Sequence, residues 1–328
     1  MKNEHLGERE IIEIIKNQLD MPKMPIPFGD DVSAYPMTNN KVLVLKTDML
    51  VDKTDVPKGM SFWQAARKAV VMNVSDFASK GVEPKVILVS LGLPQKMAKK
   101  AVVEEIAKGL NAGAREYNAY VIGGDTNEAS DLVISVSLFG TADKNTLMLR
   151  GGAKLGDVVA VTGKFGKTAC GLKILLNGCK ASSRISKAFV ASVLMPQARL
   201  KEGLCLCQTR SVTAAIDSSD GLAWCLHEIA RASNVGFLID NPPIAEEVEK
   251  FAKVNHLDPL ELALYGGEEY ELVVTIKPKF WERTVRAIEK VGGQLLPIGK
   301  VVRERKVLLR KGKATLEVEP RGWEHFKL

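Results

Sequence analysis

The stretch VTAAIDSSDGL, residues 212–222, contains a strand, an acidic turn and the start of a helix. An apolar run from Val212 to Ile216 closes on Asp217. Two serines, Asp220 and Gly221 follow, and the segment GLAWCLHEIARA (221–232) then repeats its apolar residues at helical spacing. The short apolar run predicts a buried strand and the 3.6-residue period predicts a helix. A strand that feeds a helix through such a turn is the grammar of an α/β (α+β) chain. Carboxylates among small residues at that point suit a hard cation, and the opening helix offers free N–H groups to an anion.

The same arrangement recurs outward from this point. Strand 42–47 (VLVLKT) is expected to end at Thr47-Asp48, and strand 119–123 (AYVIG) at Gly123-Gly124-Asp125-Thr126. Gly29-Asp30-Asp31 follows a Pro-rich loop. Asn73-Val74-Ser75-Asp76 sits in a predicted helix 61–79, and Gly266-Gly267-Glu268-Glu269 precedes a predicted strand 270–276. Further helices are expected over 10–19, 96–116, 168–177, 186–194 and 279–291, and strands over 85–92, 132–140, 158–162 and in 295–318. The segment 143–157, rich in glycine and charge, separates two such cycles. It sets domains at 1–145 and 146–328. The apolar strands 42–47, 85–92 and 132–140 predict burial on both faces.

Any single acidic turn reads as an ordinary turn or helix cap. Several of them, each abutting an apolar segment, point to Mg²⁺ shared with substrate phosphates. A competing signal is Gly163-Lys164-Phe165-Gly166-Lys167-Thr168, between a predicted strand and helix. A P-loop needs four residues between its glycines; here there are two, and Val161 stands where the first glycine belongs. The four histidines (His5, His227, His256, His325) form no metalloprotease or triad spacing, and no nucleophile elbow is present.

Composition narrows the classes. The 328 residues carry a net charge of +7, with 46% hydrophobic and 26% charged residues, which suits a folded chain of about two domains. Residues 277–328 hold 14 Lys/Arg against 6 Asp/Glu, a net of +8, so the remainder is near −1 (7 − 8). With aromatics at 6%, that basic tail reads as a solvated face and not a nucleic-acid surface. No apolar run is long enough to span a membrane, and the charged N-terminus lacks a signal-peptide core, so a cytoplasmic protein is expected. Five cysteines without CxxC spacing read as free thiols of that compartment.

In order, GDD (29–31), TDMLV (47–51), NVSDFASKG (73–81), GGDT (123–126), R-x-G-A (150–153), D-x-SDGL (217–222) and GGEEYEL (266–272) resemble one superfamily over nearly the whole chain. It unites aminoimidazole ribonucleotide synthase, selenophosphate synthetase and thiamine-monophosphate kinase. The thiamine-monophosphate kinase family, in its archaeal type, is the best match. Selenophosphate synthetases carry an N-terminal reactive cysteine or selenocysteine, whereas the first cysteine here is Cys170. The hydrogenase-maturation member ends on cysteine, whereas this chain ends His325-Phe326-Lys327-Leu328.

The resemblance implies a two-domain aminoimidazole ribonucleotide synthase-like fold. It implies a homodimer joined through the N-terminal sheets, with a C-terminal α/β sandwich domain and ATP in the cleft between domains. It implies ATP-dependent phosphorylation of thiamine monophosphate with several Mg²⁺ ions. Asp31, Thr47, Asp48, Asp76, Asp125, Asp217 and Asp220 match magnesium ligands. Gly124, Asp125, Arg150 and Ser219 match ATP contacts, with Arg150, Asp76 and Asp125 central to catalysis. Glu268 and Trp323 match the acceptor site, where Asp55 stands in place of a histidine that many members have. Glu269 replaces a more usual aspartate. The alternative on the same fold is an aminoimidazole ribonucleotide synthase-like ATP-dependent ligase.

Overall fold

The computed structural model describes residues 6–326; His5 and the Lys327-Leu328 end lie outside them. The first half runs α1 (Glu8–Lys16), β1 (Ser33–Pro36), β2 (Lys41–Val51), the single turn α2 (Asp52–Asp55), α3 (Phe62–Lys80), β3 (Val86–Leu93), α4 (Lys100–Glu116), β4 (Tyr120–Glu128) and β5 (Val133–Asp143). The second runs β6 (Val158–Val161), α5 (Lys167–Asn177), α6 (Ser183–Leu194), α7 (Leu200–Thr209), β7 (Val212–Asp217), α8 (Leu222–Ser233), β8 (Gly236–Ile239), α9 (Glu246–Val254), α10 (Pro259–Tyr265), β9 (Leu272–Ile276), α11 (Trp281–Lys290), β10 (Leu296–Val302), β11 (Val307–Lys311) and β12 (Ala314–Glu317). No helix among the described residues is long and apolar enough to cross a membrane.

Strands of the first half form one sheet in the order β1-β2-β5-β3-β4. Only β3 and β4 pair in parallel, joined by α4 as a βαβ crossover. Those of the second half form a sheet in the order β12-β11-β8-β10-β6-β9-β7. Between the sheets lies α3. Its start is fixed by a capping box, in which Gln64 N–H donates to Ser61 Oγ and Ser61 N–H to Gln64 Oε1. From Ala65 to Lys80 every residue but Met72 is buried. A helix buried on all sides belongs to the core. One hydrophobic cluster accordingly joins Val44, Val74 and Leu138 to Ala215, Leu272 and Val274 of the second sheet. On the far side of α3, α4 packs so closely that a Cβ at Gly109 would come within 2.2 Å of Trp63 O.

Three expectations are corrected here. Strand β2 continues to Val51 and β4 to Glu128, so Thr47-Asp48 and Gly124-Asp125 lie in mid-strand and not at strand ends. Strand β4 can continue because it lies tight against β3; a Cβ at Gly124 would sit 1.9 Å from Val89 O. Second, the single chain covers only one face of the first sheet, so burial on both faces would take a partner. Val42, Val44, Ile134 and Val136 are covered, while Met49, Leu88, Tyr120 and Ile122 are exposed on the open face or the β4 edge. Third, α1 ends at Lys16, and its Ile12, Ile14 and Ile15 stay exposed, because α1 docks through polar groups instead. The Arg9 guanidinium lies 3.1 Å from the Trp224 ring centroid and 3.3 Å from Glu324. The five cysteines are unpaired thiols, and a His227 ring nitrogen bonds to Val318 O at 2.8 Å.

Candidate metal and phosphate site

The carboxylates converge on the buried surface of α3 that faces both sheets. Asp31, Asp76 and Asp217 each place a carboxylate oxygen within 4.8 Å of the others, and all three are buried. Two of them are fixed by serines one turn apart on α3. Ser75 Oγ donates to Asp217 Oδ2 at 2.7 Å, and Ser79 Oγ donates to Asp31 Oδ2 at 2.6 Å. Asn73 Oδ1 accepts the Asp48 N–H at 3.0 Å, which pins β2 to the helix. These side chains face inward because α3 has no solvent side, so each buried polar group must find a partner.

Three cations answer the acids. Lys80 Nζ, fully buried, bonds Asp30 at 2.6 Å, Asp31 at 2.8 Å and Ala215 O at 2.9 Å. Lys46 Nζ lies 3.1 Å from Asp76 and 3.2 Å from Asp48. Arg150 forks onto Asp31, donates to Gly29 O at 2.7 Å and reaches Glu228 at 3.3 Å. Five aspartates (Asp30, Asp31, Asp48, Asp76, Asp217) against Lys46, Lys80 and Arg150 leave an excess of two negative charges (5 − 3). The consequences are unequal. Burial raises Asp31, but Lys80 and Arg150 outweigh it and hold that carboxyl well below the usual range. Burial, and then the neighbouring carboxylates, push Asp76 well up. Burial and Asp31 push Asp217 to about 7. Burial and Glu8 push Asp220 to about 6.

A buried, all-oxygen set short of positive charge is chemically fitted to Mg²⁺. Asp31, Asp76 and Asp217 would hold it, with Asp48 alongside. Asp217 and Asp220 are raised above their unfolded values. Their contribution to stability is therefore present below about pH 4 and is lost as pH rises through about 6–7. A cation that binds their ionised forms releases those protons. Calorimetry of Mg²⁺ binding in buffers of different ionisation heat is expected to show more proton release near pH 6.5 than at pH 8. Equal release at both would disprove it.

The remaining site residues divide into two groups. Lys68, buried, joins two residues expected at the acceptor site: its Nζ lies 2.5 Å from Glu268 Oε1 and donates to Asp55 O at 2.9 Å. Asp55 Oδ2 accepts the Val51 N–H. Ser219 O accepts from Glu268 N–H at 2.6 Å and Asp220 O from Trp323 N–H at 3.0 Å. Ser219, Asp220, Glu268 and Trp323 thus share one rim, and the Trp323 side chain stands 56% exposed. A cleft of about 660 Å³ opens beside Asp220, Arg150, Phe28 and Trp224.

Thr47 and Asp125 are not brought to the cluster. Thr47 Oγ1 accepts from Ser137 Oγ on the open face, and Asp125 pairs in register with Ser90 of that face. Gly124 and Asp125 lie on the edge strand, three strand spacings from Asp48, or about 14 Å. The P-loop-like segment is filled from within. Glu269 Oε1 accepts from the N–H groups of Gly166 (2.7 Å) and Thr168 (3.0 Å), so a carboxylate occupies the place of a phosphate. Lys46, Lys68 and Lys80 were not foreseen. The one available signal was a lysine inside an otherwise apolar strand or helix.

Residues 29–142 match the N-terminal domain of AIR synthase related proteins and residues 154–311 their C-terminal domain. The chain belongs to the AIR synthase related family. Within it, the likeness over the full length is to thiamine-monophosphate kinases. That of Nitrosopumilus maritimus is 35% identical over 322 residues, covering 98% of this chain and 99% of the relative. That of Pyrococcus horikoshii is 37% identical over 324 residues, covering 98% and 97%. A solved structure of AaThiL complexed with AMPPCP and TMP superimposes with a TM-score of 0.85 at 29% identity, covering 99% of both chains.

Proposed function

We propose that this protein transfers the γ-phosphoryl group of ATP to thiamine monophosphate, giving thiamine diphosphate and ADP. A phosphate oxygen of the acceptor forms the new P–O bond as the bond to the β-phosphate oxygen breaks. The acceptor is already ionised, so no side-chain base or nucleophile is required; the protein supplies positioning and charge. The observation that carries this reading is the buried triad Asp31, Asp76 and Asp217 beside a rim holding Glu268 and Trp323. Asp31, Asp76 and Asp217, with Asp48 and Asp220, would hold several Mg²⁺ ions, whose chemistry there would be to neutralise the phosphate charge. Arg150 and Ser219 contact ATP. Asp55, Glu268 and Trp323 face the acceptor. A cytoplasmic location accords with ATP and thiamine monophosphate as the substrates.

The active form is a homodimer. The open face and the β4 edge of the first sheet present Met49, Leu88, Tyr120 and Ile122 to solvent, an apolar surface that needs a cover. Thr47 and Asp125 lie on that same side. A second copy seated there gives Asp125 a site to join, which its own chain cannot offer.

The test is a Mg²⁺-ATP assay with thiamine monophosphate beside a panel of other small phosphate esters. Thiamine diphosphate and ADP in equal amounts, with thiamine monophosphate the preferred acceptor, is the expected result. Turnover of another ester in its place would overturn the reading. The exposed Trp323 gives a second check, because an indole stacks on a cationic thiazolium for about 0.5–2 kcal/mol. Trp323→Ala is expected to raise KM for thiamine monophosphate about tenfold, leaving KM for ATP and the melting temperature nearly unchanged. An unaltered acceptor KM would remove Trp323 from the site.

A further inference from the structure

We infer that Lys46 is a built-in counter-cation that occupies a metal position between Asp48 and Asp76, and that Mg²⁺ must displace its ammonium group on binding. The inference rests on the proposed metal role of these aspartates. Two lysines bracket the acid cluster, and they differ in kind. Lys80 has no exposed side-chain surface and spends its ammonium on Asp30, Asp31 and Ala215 O, a complete set of three acceptors. It is part of the core. Lys46 comes from the strand β2, two residues before Asp48 and on the same face, and its side chain keeps 19% of its surface exposed. Among the described residues its ion pairs are with Asp76 at 3.1 Å and Asp48 at 3.2 Å, bridging β2 to α3.

An ammonium ion between two carboxylates satisfies them as a cation would, but with one charge in place of two. It is also tethered to a flexible four-carbon stem that can swing toward the open side of the site. In the metal-free protein it restrains repulsion among Asp48, Asp76 and Asp217. When Mg²⁺ arrives the ammonium leaves the carboxylates. The protein thereby folds without metal at the cost of affinity for it.

Calorimetric titration of the metal-free protein with MgCl₂, and its melting temperature with and without Mg²⁺, test this directly. Lys46→Met and the polar Lys46→Gln are both compared with wild type, so that a folding failure of the apolar variant leaves the other informative. Both are expected to melt lower than wild type without metal and to bind Mg²⁺ about tenfold tighter or more, because the competitor is gone. Mg²⁺ is expected to raise their melting temperature by more than it raises that of wild type. An unchanged or weakened Mg²⁺ affinity in the variants would overturn the inference. Asp76→Asn separates this from the reading beneath it. If wild type binds Mg²⁺ and Asp76→Asn does not, the metal site stands whatever Lys46 does. If wild type shows no binding that depends on Asp76, the metal site and the role of Lys46 fall together.

Discussion

Asp76→Asn is expected to lower kcat by about 10³-fold or more, since a lost metal ligand forfeits several kcal/mol of transition-state stabilisation. The amide keeps the shape of the carboxylate but not its charge. Asp76 occupies the centre of the cluster, where it meets Lys46 at 3.1 Å and shares the 4.8 Å triad with Asp31 and Asp217. The fold is expected to survive. Asp76 is held well above its usual pKa by burial and by neighbouring acids, so in the metal-free protein its charge is a source of repulsion. Neutralising it leaves Lys46 paired with Asp48. Circular dichroism and the metal-free melting temperature are therefore expected to stay close to wild type. Near-normal turnover at ordinary Mg²⁺ would remove Asp76 from the metal site.

Asp125→Asn is expected to be equally inactive, and for a different reason. On the proposed dimer its cluster would be that of the other copy: in its own chain Asp125 lies on the edge strand, in register with Ser90 on the face turned away from Asp76. If each site takes Asp125 from the other copy, two inactive variants complement. A dimer of one Asp76→Asn chain and one Asp125→Asn chain has one site with both lesions and one with neither. Random mixing makes half of the dimers mixed, so co-expressed chains are expected to recover about one quarter of wild-type activity. Recovery that stays at background would show that Asp125 serves its own chain or no site.

The acids could be read in the sequence because their residue type and flanking glycines and serines have few other uses in such number. The strand ending at Asp217, and the helix that follows the turn at Asp220, were legible from VTAAIDSSDGL alone. The cations could not be read this way. Lys68 and Lys80 fall in a helix whose pattern suggests one apolar face, and a lysine there reads as solvated. Groups distant in sequence turn them inward: Asp55 O and Glu268 for Lys68, and Asp30, Asp31 and Ala215 O for Lys80. The glycine loop 163–168 shows the opposite failure. Its local pattern invites a phosphate, while the group that fills it, Glu269, lies about a hundred residues away in sequence. Mid-strand placement of Asp48 and Asp125 was hidden for the same reason, because strand length depends on pairing with β5 and β3. The strand β8 and the helices α9 and α10 escaped notice because short elements carry little periodic signal.

The union of acid cluster, nucleotide and acceptor in one site is tested most directly by anomalous diffraction from crystals grown with Mn²⁺, a non-hydrolysable ATP analogue and thiamine monophosphate. Anomalous peaks are expected in contact with the carboxylates of Asp31, Asp76 and Asp217 and with the β- and γ-phosphates. The acceptor phosphate is expected in line with the γ-phosphorus and its ring system beside Trp323. Nucleotide bound with no metal at these three carboxylates, or an acceptor seated away from Glu268 and Trp323, would contradict it.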